Sequence, residues 1–192
     1  KKQEDFYANE CVSNSKQVVI ISDALRYEVA AELMQELAKE KHIAKLSAYR
    51  AMLPTETKYC KPALLPHTSL IWKNKEMLVD GEVLDTLESR SVQVAKYKES
   101  ACCVDYETVI KADVKTAREL FKRPLVYIFH DTIDAASHGA GAGDVIAACR
   151  KAIEQLAVLV RRLHASWNVT NVVLTADHGF LYNDVEFAEK DK

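Results

Sequence analysis

The chain has 192 residues, enough for one compact domain with a substantial core, and its 48% hydrophobic and 28% charged residues are those of an ordinary globular protein. A formal net charge of −2 gives no basis for bulk electrostatic binding to nucleic acid or to a membrane surface. No apolar run approaches the roughly 18 residues of a membrane span, and the opening Lys1-Lys2-Gln3-Glu4-Asp5 is not a secretory leader. Five cysteines without Cys-x-x-Cys spacing argue against a zinc knuckle or a disulfide framework and for a reducing, cytoplasmic setting.

Residues 1–15 read as a polar lead-in with at most a short helix. Gln17 to Ser22 is continuous, β-branched and apolar, the pattern of a parallel strand buried on both faces. Residues 25–40 carry Val29, Leu33, Leu37 and Ala38 at helical spacing. The loose alternation from His42 to Tyr49 predicts a second strand. Next comes Leu53-Pro54-Thr55-Glu56-Thr57, where Pro54 keeps its predecessor out of the helical region. A short helix is expected up to Leu65, starting near Cys60 because Pro62 is tolerated only in a first turn.

Residues 67–110 are the least patterned and are expected to be an inserted or decorating region. Asp80-Gly81 marks a turn, Ser91 to Tyr97 suits strand or helix, Ala101 to Val104 is a short strand candidate, and Asp105 suits a helix N-cap. A helix over Asp113 to Lys122 leads into an apolar strand, Leu125 to His130. The glycines 139, 141 and 143 predict a loop. From Asp144 to Trp167 a long amphipathic helix, with Ile146, Ile153, Leu156, Val160 and Leu163 as its buried stripe, returns to a strand at 170–176. This rhythm predicts an α/β fold with a mostly parallel central sheet and helices on both faces.

Three of these strands release acidic or imidazole side chains at their C-terminal ends: Asp23 after the first, His130, Asp131, Asp134 and His138 after the second, and Asp177-His178-Gly179 after the third. In open parallel sheets, ligands bind outside those strand ends. Carboxylates with imidazoles and no paired cysteines suit a catalytic metal site, which zinc or manganese would accept. Asp134 and His138, four apart, can face the same ion from a helical turn. Two such sites together would clamp the attacking and leaving oxygens of a displacement at phosphorus. Thr57 offers a hydroxyl nucleophile, although Pro54 to Thr57 also reads as a turn with a capping threonine. Arg26, three residues past Asp23, reads either as a phosphate-binding group or as one half of a local salt bridge. His130 reads either as a donor that orients a ligand or as a polar strand end. His42, His67 and His164 are read as having no role at the site.

Four ordered motifs carry a family resemblance: Ile21-Ser22-Asp23-Ala24-Leu25-Arg26-Tyr27-Glu28, Leu53-Pro54-Thr55-Glu56-Thr57, Tyr127 to Asp134, and Leu174-Thr175-Ala176-Asp177-His178-Gly179-Phe180. Over about residues 17–183 the chain resembles the PglZ domain of the alkaline phosphatase superfamily. The resemblance implies an alkaline-phosphatase-like core, with Thr57 as a nucleophile that also touches the first metal. Asp23, Asp177 and His178 would be the other ligands of that metal, and Asp134 and His138 two ligands of the second. It implies two divalent metals, zinc first and manganese as the alternative, and a phosphodiester or phosphomonoester substrate. It also implies a bacterial phage-defence or signalling setting with further domains or complex partners. Superfamily members usually add a later histidine, and this sequence has none after His178, so the chain is expected to be one PglZ-like domain over 1–192 of a longer protein. The competing expectation is a non-catalytic structural or interaction module that keeps the fold.

Overall fold

The computed structural model describes residues 1–12, 14–137 and 142–180, with the side chains of residues 142 and 143 left out. After a short 3-10 turn at Gln3–Asp5 come α1 (Phe6–Glu10), β1 (Gln17–Ser22), α2 (Tyr27–Lys39) and α3 (Thr57–Ala63). A hairpin region follows, β2 (Leu70–Lys73), β3 (Glu76–Val79) and β4 (Glu82–Val83), then α4 (Leu87–Tyr97), β5 (Cys102–Asp105), α5 (Tyr106–Lys111) and α6 (Val114–Leu120). The rest is β6 (Leu125–His130), α7 (Thr132–Ser137), α8 (Ala142–Ala165) and β7 (Asn171–Thr175).

Strands β5, β6, β1 and β7 form, in that order, a four-stranded sheet in which every pairing is parallel. The expected α/β class and parallel sheet are therefore present. Central β1 is buried at all six positions, and alternate side chains serve two cores. Val18 and Ile20 face a core with Leu33 and Leu37 of α2, Ala117 of α6, and Ala152, Leu156, Leu159 and Leu163 of α8. Val19 and Ile21 face a second core with Phe6 of α1, Leu64 and Leu65 beyond α3, Val79 of β3 and Val94 of α4. Helices thus cover both faces, which is why these strands read as unbroken apolar runs.

Four expectations need correction. Residues 42–49 form no strand; Ile43 is fully exposed, and an alternating run without a partner strand has no ladder to join. Region 67–110 divides: β2, β3 and β4 make a separate antiparallel sheet, but β5 is an edge strand of the main sheet, paired with β6. Helix α3 begins at Thr57 rather than near Cys60, and Pro62 sits in its last turn. The helix ends one residue later at Ala63, so the proline disturbs only its end. Of the expected buried stripe of α8, Ile153, Leu156, Val160 and Leu163 are buried, joined by Ala152 and Leu159, and only Ile146 is exposed. Asp105 and Asp113 cap α5 and α6 by accepting from the Thr108 and Thr116 amides.

Tyr127 ties β6 to the segment beyond α3. Its ring is wholly buried, and its hydroxyl donates to the Leu64 carbonyl at 3.1 Å with Cys11 Sγ at 3.5 Å. Tyr127→Phe leaves that carbonyl without its donor. The expected loss is about 1–2 kcal/mol in urea unfolding, without change in the cofolded sheet. A loss below about 0.3 kcal/mol would mean that the hydroxyl is not a net contributor.

Candidate metal centre

The strand register brings the candidate residues to one edge of the sheet. Ile21 of β1 stands opposite Thr175 of β7, and Ser22 opposite His130 of β6, so Asp23, α7 and Asp177 leave the sheet side by side. Asp23 and Asp177 are both buried. Asp177 Oδ1 accepts from the Ala24 amide at 3.2 Å and from the His178 amide at 2.8 Å. Ala24 is in the left-handed region (φ 61°), and that turn aims its N–H at Asp177. From the other side Gln3 donates to the Asp177 carbonyl at 2.5 Å and accepts from the Met52 amide at 3.1 Å. The polar lead-in therefore helps fix the Asp177 backbone.

Thr57 Oγ1 lies 2.8 Å from His178 Nε2 and 3.4 Å from Asp23 Oδ1. His178 Nδ1 is 2.7 Å from the Gly179 carbonyl, which can only accept. The proton is thereby assigned to Nδ1, leaving the Nε2 lone pair to accept from Thr57 or to bind a cation. His178 Nε2 is also 3.4 Å from Asp23 Oδ1 and 3.6 Å from Asp177 Oδ2. Asp134, on α7, completes the group: Asp23, Asp134 and His178 each present a donor atom, all within 4.8 Å of one another. Expected ligand His138 lies outside the described residues.

One atom tests whether this donor set suits a cation. Asp177 Oδ2 is buried and has no hydrogen-bond partner among the described residues. A buried carboxylate oxygen left so is costly unless a proton or a metal serves it. Burial, and then the adjacent Asp23 carboxyl, push Asp177 up to about 7. Burial also pushes Asp23 up, but Asp177 and the Lys61 ammonium outweigh it and hold Asp23 below the usual carboxylate range. An orphaned carboxylate oxygen beside an imidazole lone pair, a second carboxylate and a hydroxyl is a donor set that zinc or manganese accepts.

The other expected residues lie further out. Arg26 donates to Glu28 at 3.2 and 3.1 Å and stacks on Phe180, its guanidinium carbon 5.0 Å from the ring centroid. This is the local salt bridge of the two readings. Gly179 packs closely beside it: a Cβ there would stand 3.1 Å from Arg26 Cγ, so the arginine stem would have to give way. His130 is buried, which pushes it below the usual imidazole range. Its ring contacts Ser22 Oγ at 2.9 Å, Gln155 Oε1 at 2.9 Å and Thr132 Oγ1 at 3.1 Å. It reaches the site through its backbone carbonyl, which accepts from the Asp23 amide at 2.7 Å. A cleft of about 680 Å³ opens beside Asp177 and His178, with Arg26, Tyr49, Thr55 and Phe180 among its walls.

Lys61 escaped the sequence reading. Its Nζ is 2.5 Å from Asp23 Oδ2, and both side chains are largely buried. The signal was the four-residue spacing from Thr57, which places both on one helical face, but a helix starting near Cys60 hid it.

A parallel sheet with a hydroxyl, carboxylates and an imidazole gathered at its carboxyl edge defines an alkaline-phosphatase-like domain. The chain matches the family described as BREX system PglZ alkaline phosphatase-like domain over residues 8–192. It belongs to the PglZ family. It is 33% identical over 178 residues to alkaline phosphatase-like protein PglZ of Bacillus cereus (strain H3081.97), covering 91% of this chain and 21% of that relative. It is 34% identical over 180 residues to alkaline phosphatase-like protein BrxZ of Escherichia coli O9:H4 (strain HS), with the same coverage of 91% and 21%. The chain thus spans about a fifth of the length of these curated relatives. Among the described residues no helix is long and apolar enough to cross a membrane.

Proposed function

We propose that this chain supplies the nucleophile and metal ligands of a metal-dependent phosphoesterase that works in a BREX-type, multiprotein phage-defence system in the bacterial cytoplasm. The observation that carries the reading is the Thr57 hydroxyl 2.8 Å from His178 Nε2, beside Asp23 and the partnerless, buried Asp177 Oδ2. Asp23, Asp177 and His178 would hold one divalent ion together with Thr57, and Asp134 with His138 would contribute to a second; zinc is the first expectation and manganese the alternative. Such ions, when bound, supply a Lewis acid that lowers the hydroxyl pKa and offsets phosphate charge.

The residues themselves do the following. Gln3, Ala24 and the His178 amide fix the Asp177 carboxyl group and its backbone. Gly179 fixes the His178 tautomer. The Thr57 hydroxyl donates to His178 Nε2, the lone pair that would otherwise hold a cation, and its proton would leave to water as the oxygen becomes a nucleophile. Thr57 Oγ1 then forms its bond to phosphorus while the bond to the leaving oxygen breaks, the electron pair departing with that oxygen. Water hydrolyses the threonyl phosphate and restores the hydroxyl.

One observation favours a second reading, the non-catalytic module. Lys61 already neutralises Asp23, so part of the site is charge-compensated by the chain itself. The two readings separate in the full-length protein. The phosphoesterase reading expects bound zinc or manganese in elemental analysis and turnover of bis(p-nitrophenyl) phosphate. A protein without metal and without turnover of either phosphodiesters or phosphomonoesters is the module.

A further inference from the structure

We propose that Lys61 is a phosphate-binding residue of this site. Its ammonium, held on Asp23 Oδ2 while no substrate is bound, transfers to a non-bridging oxygen of the phosphate ester that Thr57 attacks. The proposal rests on the phosphoesterase reading and adds the group that recognises the substrate's charge.

Position is the first argument. Lys61 and Thr57 are four residues apart in α3, and both meet the same carboxylate. Thr57 Oγ1 is 3.4 Å from Asp23 Oδ1, and Lys61 Nζ is 2.5 Å from Asp23 Oδ2. The ammonium and the nucleophile therefore contact the two oxygens of one carboxylate. A phosphorus atom approached by Oγ1 projects its non-bridging oxygens within reach of the flexible four-carbon stem.

Burial is the second. Only 13% of the Lys61 side chain is exposed, and 5% of that of Asp23. Burying and ordering a lysine costs desolvation and rotamer entropy, a cost that an ordinary solvent-exposed pair meets only in part. Here that cost falls on a lysine paired with the carboxylate that also contacts the candidate nucleophile.

Charge is the third. Asp23, if it held a divalent cation, would no longer need the compensation that Lys61 now provides, and the Lys61 ammonium would be repelled from it. Lys61 then needs another anion, and a phosphate ester at Thr57 is the anion the site would bring. Arg90 is a second cation beside Phe129. Its guanidinium carbon is 4.8 Å from the Phe129 ring centroid, and Lys61 Nζ is 6.0 Å from the same centroid. Arg90 donates to the Leu84 and Asp85 carbonyls at 3.1 and 3.3 Å, which fix its charge in place.

The test is calorimetric, on the full-length protein loaded with zinc, with inorganic phosphate as the probe. Lys61→Met, which keeps the stem and removes the charge, is expected to weaken phosphate binding about tenfold or more. Zinc alone, titrated into the metal-free variant, is expected to bind as tightly as to wild type or more tightly, because a competing cation has gone. Lys61→Arg is expected to retain most of the phosphate affinity. The proposal is overturned if Lys61→Met binds phosphate within about twofold of wild type while zinc binding is normal, a result that leaves the phosphoesterase reading standing. It is also overturned if the variant loses zinc and phosphate in step, which is the signature of a structural ion pair. If wild type takes up no metal, the phosphoesterase reading fails and the Lys61 proposal fails with it.

Discussion

Asp177→Asn is expected to lower metal affinity by about a hundredfold or more and, in the same protein, to stabilise the metal-free form above neutral pH. The two effects share one cause. Asp177 Oδ2 is buried without a partner among the described residues and sits 3.6 Å from His178 Nε2. With metal present, that oxygen is a charged ligand, and an amide cannot replace its charge. Without metal, the same charge is uncompensated, and its carboxyl is pushed up to about 7 by burial and by Asp23. A carboxyl protonated more readily in the folded than in the unfolded chain makes the native state bind the extra proton. Stability is therefore full below about pH 4, falls as pH rises toward 7, and stays low above it. The depressed Asp23 carboxyl acts oppositely, but its effect is complete by about pH 4 and does not mask the fall. Asparagine removes the charge and adds a donor facing Asp23, so the fall between pH 4 and 7 should flatten, with a gain on the order of 2 kcal/mol at pH 8. Urea unfolding of both chelated proteins from pH 5 to 8 measures this. A wild type whose stability is level across that range would show that Asp177 is not perturbed as argued.

How much of this was legible in the sequence depends on what each residue had to satisfy. Val18-Val19-Ile20-Ile21 and Leu125 to Ile128 are apolar at every position because both faces of the sheet are covered. The strand ends followed directly, since Asp23, His130 and Asp177 are polar residues attached to those runs. Residues 42–49 misled because alternation specifies a strand only when a partner offers a ladder, and none of the described strands pairs there. Pro62 misled because its cost depends on its distance from the helix end, which only the packed structure fixes. That one shift hid Lys61. Gln3 was illegible for another reason: its partners, at Met52 and Asp177, are 49 and 174 residues away, and a single buried glutamine has no periodicity.

Thr57→Ala is expected to lower phosphodiester turnover by the full-length protein about a thousandfold or more while zinc affinity changes by less than about tenfold. The hydroxyl is the atom that would bond to phosphorus; the charges that would hold the ion are on Asp23, Asp177 and His178. Loss of the 2.8 Å bond to His178 costs stability of about 1 kcal/mol, too little to unfold the domain. Thr57→Ser keeps a hydroxyl at the same helical position and should recover a substantial part of the activity. Turnover of Thr57→Ala and metal content of Asp177→Asn together separate bond formation from ion binding, which loss of activity alone cannot do. Near-normal turnover in Thr57→Ala would remove the covalent route. Thr55 would then be the remaining hydroxyl of this loop, exposed at the wall of the cleft beside Asp177 and His178, and Thr55→Ala in the Thr57→Ala background would distinguish it from direct attack by water.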